Sequence, residues 1–154
     1  MLTTSQLLTL KTDILSPARA AALGGFLAAV DHPSIADYYN QLATPAVNLW
    51  RPHIAVSELN TVIVWADFAA LAVGKQNTYF AMTQDGWVDA TSSFIRTGFS
   101  AIFANPSLAN LTALAQRGGS RFEALFSTTA GAASVSTVFG QALSYIDVAN
   151  ALAG

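Results

Sequence analysis

Apolar residues recur at helical spacing most clearly between Thr91 and Phe126, TSSFIRTGFSAIFANPSLANLTALAQRGGSRFEALF. Phe94, Ile95, Phe99, Ile102 and Phe103 form one stripe, with Arg96, Thr97 and Ser100 between them. Asn105–Pro106 ends that helix: the residue before a proline is pushed out of the helical region, and Pro106 suits the first turn of the next helix. The second stripe takes in Leu108, Leu111, Leu114, Ala115, Phe122, Leu125 and Phe126, interrupted by Gly118–Gly119. Two glycines in a helix interior cost about 1 kcal/mol each against alanine. The pattern therefore predicts a bend there or a closely packed neighbouring backbone. With so short a connection, the two helices are expected to be antiparallel or steeply crossed neighbours that form the core.

The remaining pattern predicts short helices punctuated by caps and prolines. Thr3 and Gln6 make a capping box for a helix whose inner face is Leu7, Leu10 and Ile14, ended by Ser16–Pro17. Arg19 to Val30 reads as an Ala-rich helix broken near Gly24–Gly25. Asp31-His32-Pro33 reads as a turn, and Ser34 with Asp37 as a second capping box before Tyr38 and Tyr39. Pro45 and Pro52 keep AVNLWRPHIAVS extended or irregular, with Trp50 anchoring it in the core. Ser57 is a cap candidate for a short helix through Val62, and Lys75 to Thr83 is helical, followed by the turn signal Asp85–Gly86. STTAGAAS at 127–134 reads as a loop, Val135 to Leu143 as a short strand or extended arm, and Ser144 with Asp147 as the box of a last helix. The chain is thus expected to be mainly α: a single-domain helical bundle over 1–154, with a central helix pair and an extended arm around 127–143.

Composition changes this picture in one respect. The chain is 53% hydrophobic and only 10% charged, with net charge −2 and mean hydropathy +0.43. An ordinary soluble domain is about a quarter charged. So little charge implies either apolar surface covered by partner subunits or a neutral surface rich in alanine and threonine. Lys11, Arg19, Arg51, Lys75, Arg96, Arg117 and Arg121 are scattered and make no nucleic-acid footprint. The absence of cysteine excludes disulfides, thiolate zinc sites and cysteine nucleophiles. No signal-peptide pattern is seen, Ala20 to Val30 is too short to span a bilayer, and Ala124 to Ile146 is too rich in Ser, Thr, Gly and Gln. A soluble product of the cytoplasm is the expectation.

Candidate chemistry is sparse. His32 and His53 each adjoin a proline and lack a second ligand at metal spacing. Either could serve as a general base or, with Asp31 or Asp37, a metal ligand; the competing reading is two turn residues. Asp85 and Asp89 flank a Gly–Trp turn and read as solvated. Gly24–Gly25, Gly118–Gly119 and Gly131 form no phosphate loop, and no Gly-x-Ser-x-Gly elbow occurs. Arg117 and Arg121, four apart, would share a helical face able to meet phosphate or a partner's carboxylate. Trp50, Trp65 and Trp87 read as core or interface anchors.

Several segments together resemble one group of proteins. They are Leu7-Leu8-Thr9-Leu10-Lys11, Ile35-Ala36-Asp37-Tyr38-Tyr39-Asn40, Thr44-Pro45-Ala46 with Leu49-Trp50-Arg51, Phe94-Ile95-Arg96-Thr97-Gly98-Phe99 with Ile102-Phe103, Arg121 to Phe126, and Leu143-Ser144-Tyr145-Ile146-Asp147-Val148. The pattern resembles small tailed-bacteriophage structural proteins from the head–tail joining region, and departs from it at Gly118–Gly119, where alanines are usual. The resemblance implies a non-enzymatic virion protein: an adaptor or connector subunit, forming a ring with itself and meeting portal and tail or neck proteins. It implies no cofactor or metal, no membrane, and nucleic acid only by passage through a ring lumen. Such a protein resides in the virion after assembly in the host cytoplasm. The expected interface residues are Trp50, Arg51, Arg117, Arg121, Val135, Val138 and Phe139. A decoration or tail protein is the variant within that class. A small helical hydrolase or ligand-binding domain using His32 or His53 is the alternative outside it.

Overall fold

The computed structural model describes residues 1–130 and 132–154, so Gly131 lies outside the described residues. The first helices are α1 (Thr4–Ile14), α2 (Ala20–Ala28) and α3 (His32–Asn40). Strands β1 (Asn48–Trp50) and β2 (Ile54–Ala55) precede α4 (Val56–Val62), α5 (Trp65–Ala69) and α6 (Val73–Thr83). Then come β3 (Trp87–Val88), α7 (Ser93–Ile102), α8 (Ser107–Leu114), β4 (Gln116–Gly118) and α9 (Arg121–Leu125). The chain closes with β5 (Ser127–Ala130), β6 (Ala133–Ser136) and α10 (Tyr145–Ala153). The protein is mainly α, as the periodicity predicts.

The chain resolves into two compact units. Unit 1 comprises Met1–Val47, Gly118–Thr128 and Ser136–Gly154, and unit 2 comprises Asn48–Arg117 and Thr129–Val135. In unit 1 the expected capping boxes of α1 (Thr3 with Gln6) and α10 (Ser144 with Asp147) both form. α3 starts earlier than expected. Its cap is Asp31, which accepts from the Ser34 amide, and Pro33 occupies the first turn, where its missing N–H costs nothing. Hydrogen bonding from Ser34 holds the Asp31 carboxyl below its ordinary value. α2 runs through Gly24–Gly25 unbroken and ends in a Schellman motif. The Asp31 amide bonds the Phe26 carbonyl at 2.8 Å and the Val30 amide bonds the Leu27 carbonyl at 3.2 Å. Val30 takes the left-handed position, φ 56°, that this motif usually gives to glycine; a β-branched residue there is strained.

The core of unit 1 is largely aliphatic: Leu10, Ile14, Leu23, Ile35, Leu143 and Val148, with Tyr39 and Phe122. α1 and α3 pack on α10, and α9 on α3. Two side chains tie distant segments together. Asn40 pairs like a peptide with Leu143, donating from Nδ2 to the carbonyl (2.9 Å) and accepting from the amide (2.7 Å). The buried Glu123 carboxylate accepts from the Ser120 amide (2.9 Å) and the Gly140 amide (2.6 Å), while its carbonyl accepts from Ser136 Oγ (2.8 Å).

Unit 2 is built on aromatic contacts. Phe68 meets Tyr79 edge to face at 5.4 Å, and Tyr79 meets Phe103 the same way at 5.7 Å. The stripe on α7 delivers Phe99 and Ile102 inward, with Phe103 just beyond its end, whereas Phe94 stands 74% exposed. The expected central pair takes different partners: α7 packs chiefly on α6, and α8 on α4. Nor is the second half one bent helix. It stops at Leu114, passes through β4, and restarts at α9 under a Ser120–Glu123 capping box. Gly118 and Gly119 sit in that break, and Gly119 bonds through its amide to the Val47 carbonyl (2.7 Å).

The strands order as β4-β1-β6-β5, with β1 parallel to β6 at Leu49 and Ser134, and β2 pairs antiparallel with β3. The expected loop and arm over 127–143 are therefore partly sheet. Beyond β6, Val138 and Leu143 are buried in the core of unit 1.

Candidate functional site

The sites read from the sequence are divided by the fold. Trp50 and Val138, expected at an interface, are buried in the cores of different units, where an apolar side chain gains most by leaving water. Arg51 is engaged within unit 2: its Nη2 meets Glu58 Oε2 at 2.9 Å and its Nη1 donates to the Leu114 carbonyl at 3.2 Å. The Arg51 pair first, and second the Ala55 amide, which donates to Glu58 Oε1 at 3.2 Å, hold the Glu58 carboxyl below its ordinary value. Val135 packs against the core of unit 2, and Phe139 is half-buried in unit 1. Arg117 lies in β4 and Arg121 opens α9, so they do not share a helical face.

The histidines fall in different units. His32 begins α3 in unit 1, and His53 in unit 2 stacks on Trp87 at 4.8 Å. Among the described residues no three His, Cys, Asp or Glu side chains gather at metal-binding distance. The apolar cavity of unit 2, lined by Trp50, Leu59, Phe99 and Leu111 among others, has a volume of about 50 Å³, room for little more than water. Arg96 also lines it, 4.9 Å from the Trp50 ring and bonded to the Ala90 and Thr91 carbonyls at 2.7 Å each.

The most developed polar constellation lies in unit 1, around the Tyr38-Tyr39 pair of α3. Tyr39 points inward, and its hydroxyl donates to Asp13 Oδ2. Burial first, and that bond second, raise the Tyr39 phenol well above its ordinary value. Asp13 also pairs with Arg19, Nε to Oδ2 at 2.9 Å, which drives the guanidinium's pKa higher still. Tyr38 lies between two cations. Arg19 Nη1 approaches its hydroxyl at 3.4 Å, and the Arg121 guanidinium sits 4.2 Å from its ring centroid. Arg121 Nη1 further donates to the Tyr38 carbonyl (2.8 Å) and to Gln41 Oε1 (2.7 Å).

Both arginines line one cleft of about 210 Å³, completed by Thr44, Pro45, Val47, Ala124 and their neighbours. The spacing points to Arg121 beside Arg117 on one helical face and does not single out Arg19. The signal for the site is the Tyr38-Tyr39 pair of α3: Tyr39 turns into the core and Tyr38 stays half-buried beside the Arg121 guanidinium. Comparison with protein-family models, curated proteins and solved structures finds no match to this chain. Among the described residues no helix is long and apolar enough to cross a membrane.

Proposed function

We propose that this chain is a structural subunit that works by protein–protein assembly, and that its assembly is the adaptor or connector ring at the head–tail joint of a tailed bacteriophage. The observation that carries the assembly reading is an aromatic face on unit 2. Trp65 (49% exposed) and Phe80 (56% exposed) flank the buried Phe68 at 5.1 and 5.7 Å. Val73 (69% exposed) lies two turns before Phe80 on the same side of α6. Exposed aromatic clusters of this kind are what interface cores are made from. The 10% charged composition supports the same reading, since it leaves little else to keep such a face solvated. The phage assignment rests on the sequence pattern. A ring is the closed arrangement in which each subunit presents two different faces to two neighbours.

Light scattering across a concentration range tests this. The wild type should form a closed oligomer, alone or on addition of portal and neck proteins. The Trp65→Ser/Phe80→Ser double variant should remain monomeric with an unchanged helical circular-dichroism signal. A wild type that stays monomeric at every concentration and ignores those components would remove the proposal.

A further inference from the structure

We propose that the cleft between Arg19 and Arg121 binds a monocarboxylate with a small apolar body, its carboxylate on Arg121 and its body against Val47, Ala124 and Leu125. This inference does not depend on the assembly reading. Three observations converge on it.

The first is charge. Arg19 is matched by Asp13, but Arg121 has only neutral partners: the Tyr38 carbonyl, Gln41 Oε1 and the Tyr38 ring. Among the described residues no carboxylate pairs with it. The cleft thus holds one uncompensated positive charge. A monoanion cancels it, whereas a dianion such as phosphate would carry excess negative charge into a partly apolar site.

The second is geometry. Both hydrogen bonds of Arg121 run from Nη1, so Nε and Nη2 keep their donors for a planar, bidentate acceptor. The Tyr38 ring under the guanidinium fixes its orientation beforehand, which lowers the entropic cost of engaging a ligand. Thr44 lines the same space.

The third is size and lining. About 210 Å³ exceeds what a bare carboxylate or phosphate fills, and much of the remaining wall is aliphatic. Each methylene buried against such a wall contributes about 0.8 kcal/mol.

The test is an amide chemical-shift titration of the whole chain with hexanoate, acetate and inorganic phosphate. Hexanoate should produce saturable shifts at Thr44, Arg121 and Ala124, with acetate and phosphate each weaker by about tenfold or more. Arg121→Gln should weaken hexanoate by about tenfold. Ala124→Leu fills the wall while keeping both guanidiniums and should do the same; it decides the matter if Arg121→Gln fails to fold. A short peptide ending in a free leucine carboxylate, against its amide, assigns the source. Tighter binding than hexanoate, lost in the amide, points to a chain terminus; weaker binding points to a free acid. No saturable shift, unchanged affinity in a folded variant, or phosphate binding as tightly as hexanoate overturns the proposal.

Discussion

Unit 1 and unit 2 solve the same burial problem with different materials. Unit 2 draws its core almost entirely from one continuous stretch, Asn48–Arg117, and fills it with interlocking rings: Phe68, Tyr79, Phe99 and Phe103. Unit 1 draws its core from three separated segments and fills it mostly with Leu, Ile and Val. Aromatic pairs add a directional contribution of about 0.5–1.5 kcal/mol each beyond area burial. Aliphatic contacts add no such direction, and joining distant segments costs loop-closure entropy. Unit 1 therefore needs polar devices that specify which segments meet: the Asn40–Leu143 pairing, the Glu123 hub, and the Asp13–Arg19–Tyr39 cluster. In unit 1, hydrogen bonds between distant segments add the direction that its aliphatic core lacks, whereas unit 2 adds ring geometry to polar ties of its own, such as Arg51 with Glu58 and the Leu114 carbonyl.

The largest expected effect tests whether the two cores are separable. Phe122 is fully buried in unit 1, edge to face with Phe126 at 5.3 Å. Phe122→Ala should cost about 3–5 kcal/mol. Native-state hydrogen exchange should then show protection falling in α1, α3 and α10 while α6 and α7 keep theirs. Equal loss in both sets would show that the two cores unfold as one, and the contrast drawn above would be of composition only.

Next in size is the Asn40 clamp. Asn40→Ala deletes two hydrogen bonds to the backbone of a buried residue and leaves the Leu143 amide and carbonyl without those partners. At about 1 kcal/mol per bond the cost is about 2 kcal/mol, read as a shift in the urea midpoint with unchanged slope. Asn40→Asp should recover only part of it, since Oδ1 is kept and the Nδ2 donor is lost. A variant as stable as the wild type would mean that apolar packing alone sets where the C-terminal segment docks.

How much of this was legible follows from the same contrast. Caps are local, and the Thr3 and Ser144 boxes and the boundaries they set were readable because donor and acceptor are three residues apart. The stripe of α7 was readable because one face of one helix enters one core. The second stripe was misleading because Leu108 and Leu111 feed unit 2 while Phe122 and Leu125 feed unit 1, so a single apparent period spans two cores. Nothing in the spacing of Asn40 and Leu143 announces that they meet, or in that of Arg19 and Arg121 that they line one cleft. The cleft was therefore half visible, as one arginine without its neighbour. The strands β5 and β6 were hidden by an Ala-, Ser- and Thr-rich stretch with too little alternation to mark a face.

The smallest effect compares one tyrosine from each unit. Burial alone pushes the Tyr79 phenol up to about 12 from its ordinary 10.0. For Tyr39 burial is joined by the hydrogen bond to Asp13. In both the folded-state value lies above the unfolded one. Each therefore contributes stability that is fully present below the ordinary tyrosine value and is lost as the pH rises through the folded value. The wild type should weaken progressively above pH 10.0, the ordinary value for the Tyr79 phenol. At neutral pH, Tyr79→Phe should cost about 1 kcal/mol for its bond to Asn60 Oδ1 at 2.7 Å, and it should remove part of the alkaline decline. Tyr39→Phe should remove another part, and the double variant should flatten the profile most. Because Asp13 keeps Arg19 as a partner, Tyr39→Phe should leave the remaining ion pair intact, whereas Tyr79→Phe leaves Asn60 without its phenol donor. An alkaline decline unchanged by Tyr79→Phe would show that its ring is open to solvent in the folded state, and that unit 2 is looser than its edge-to-face contacts imply.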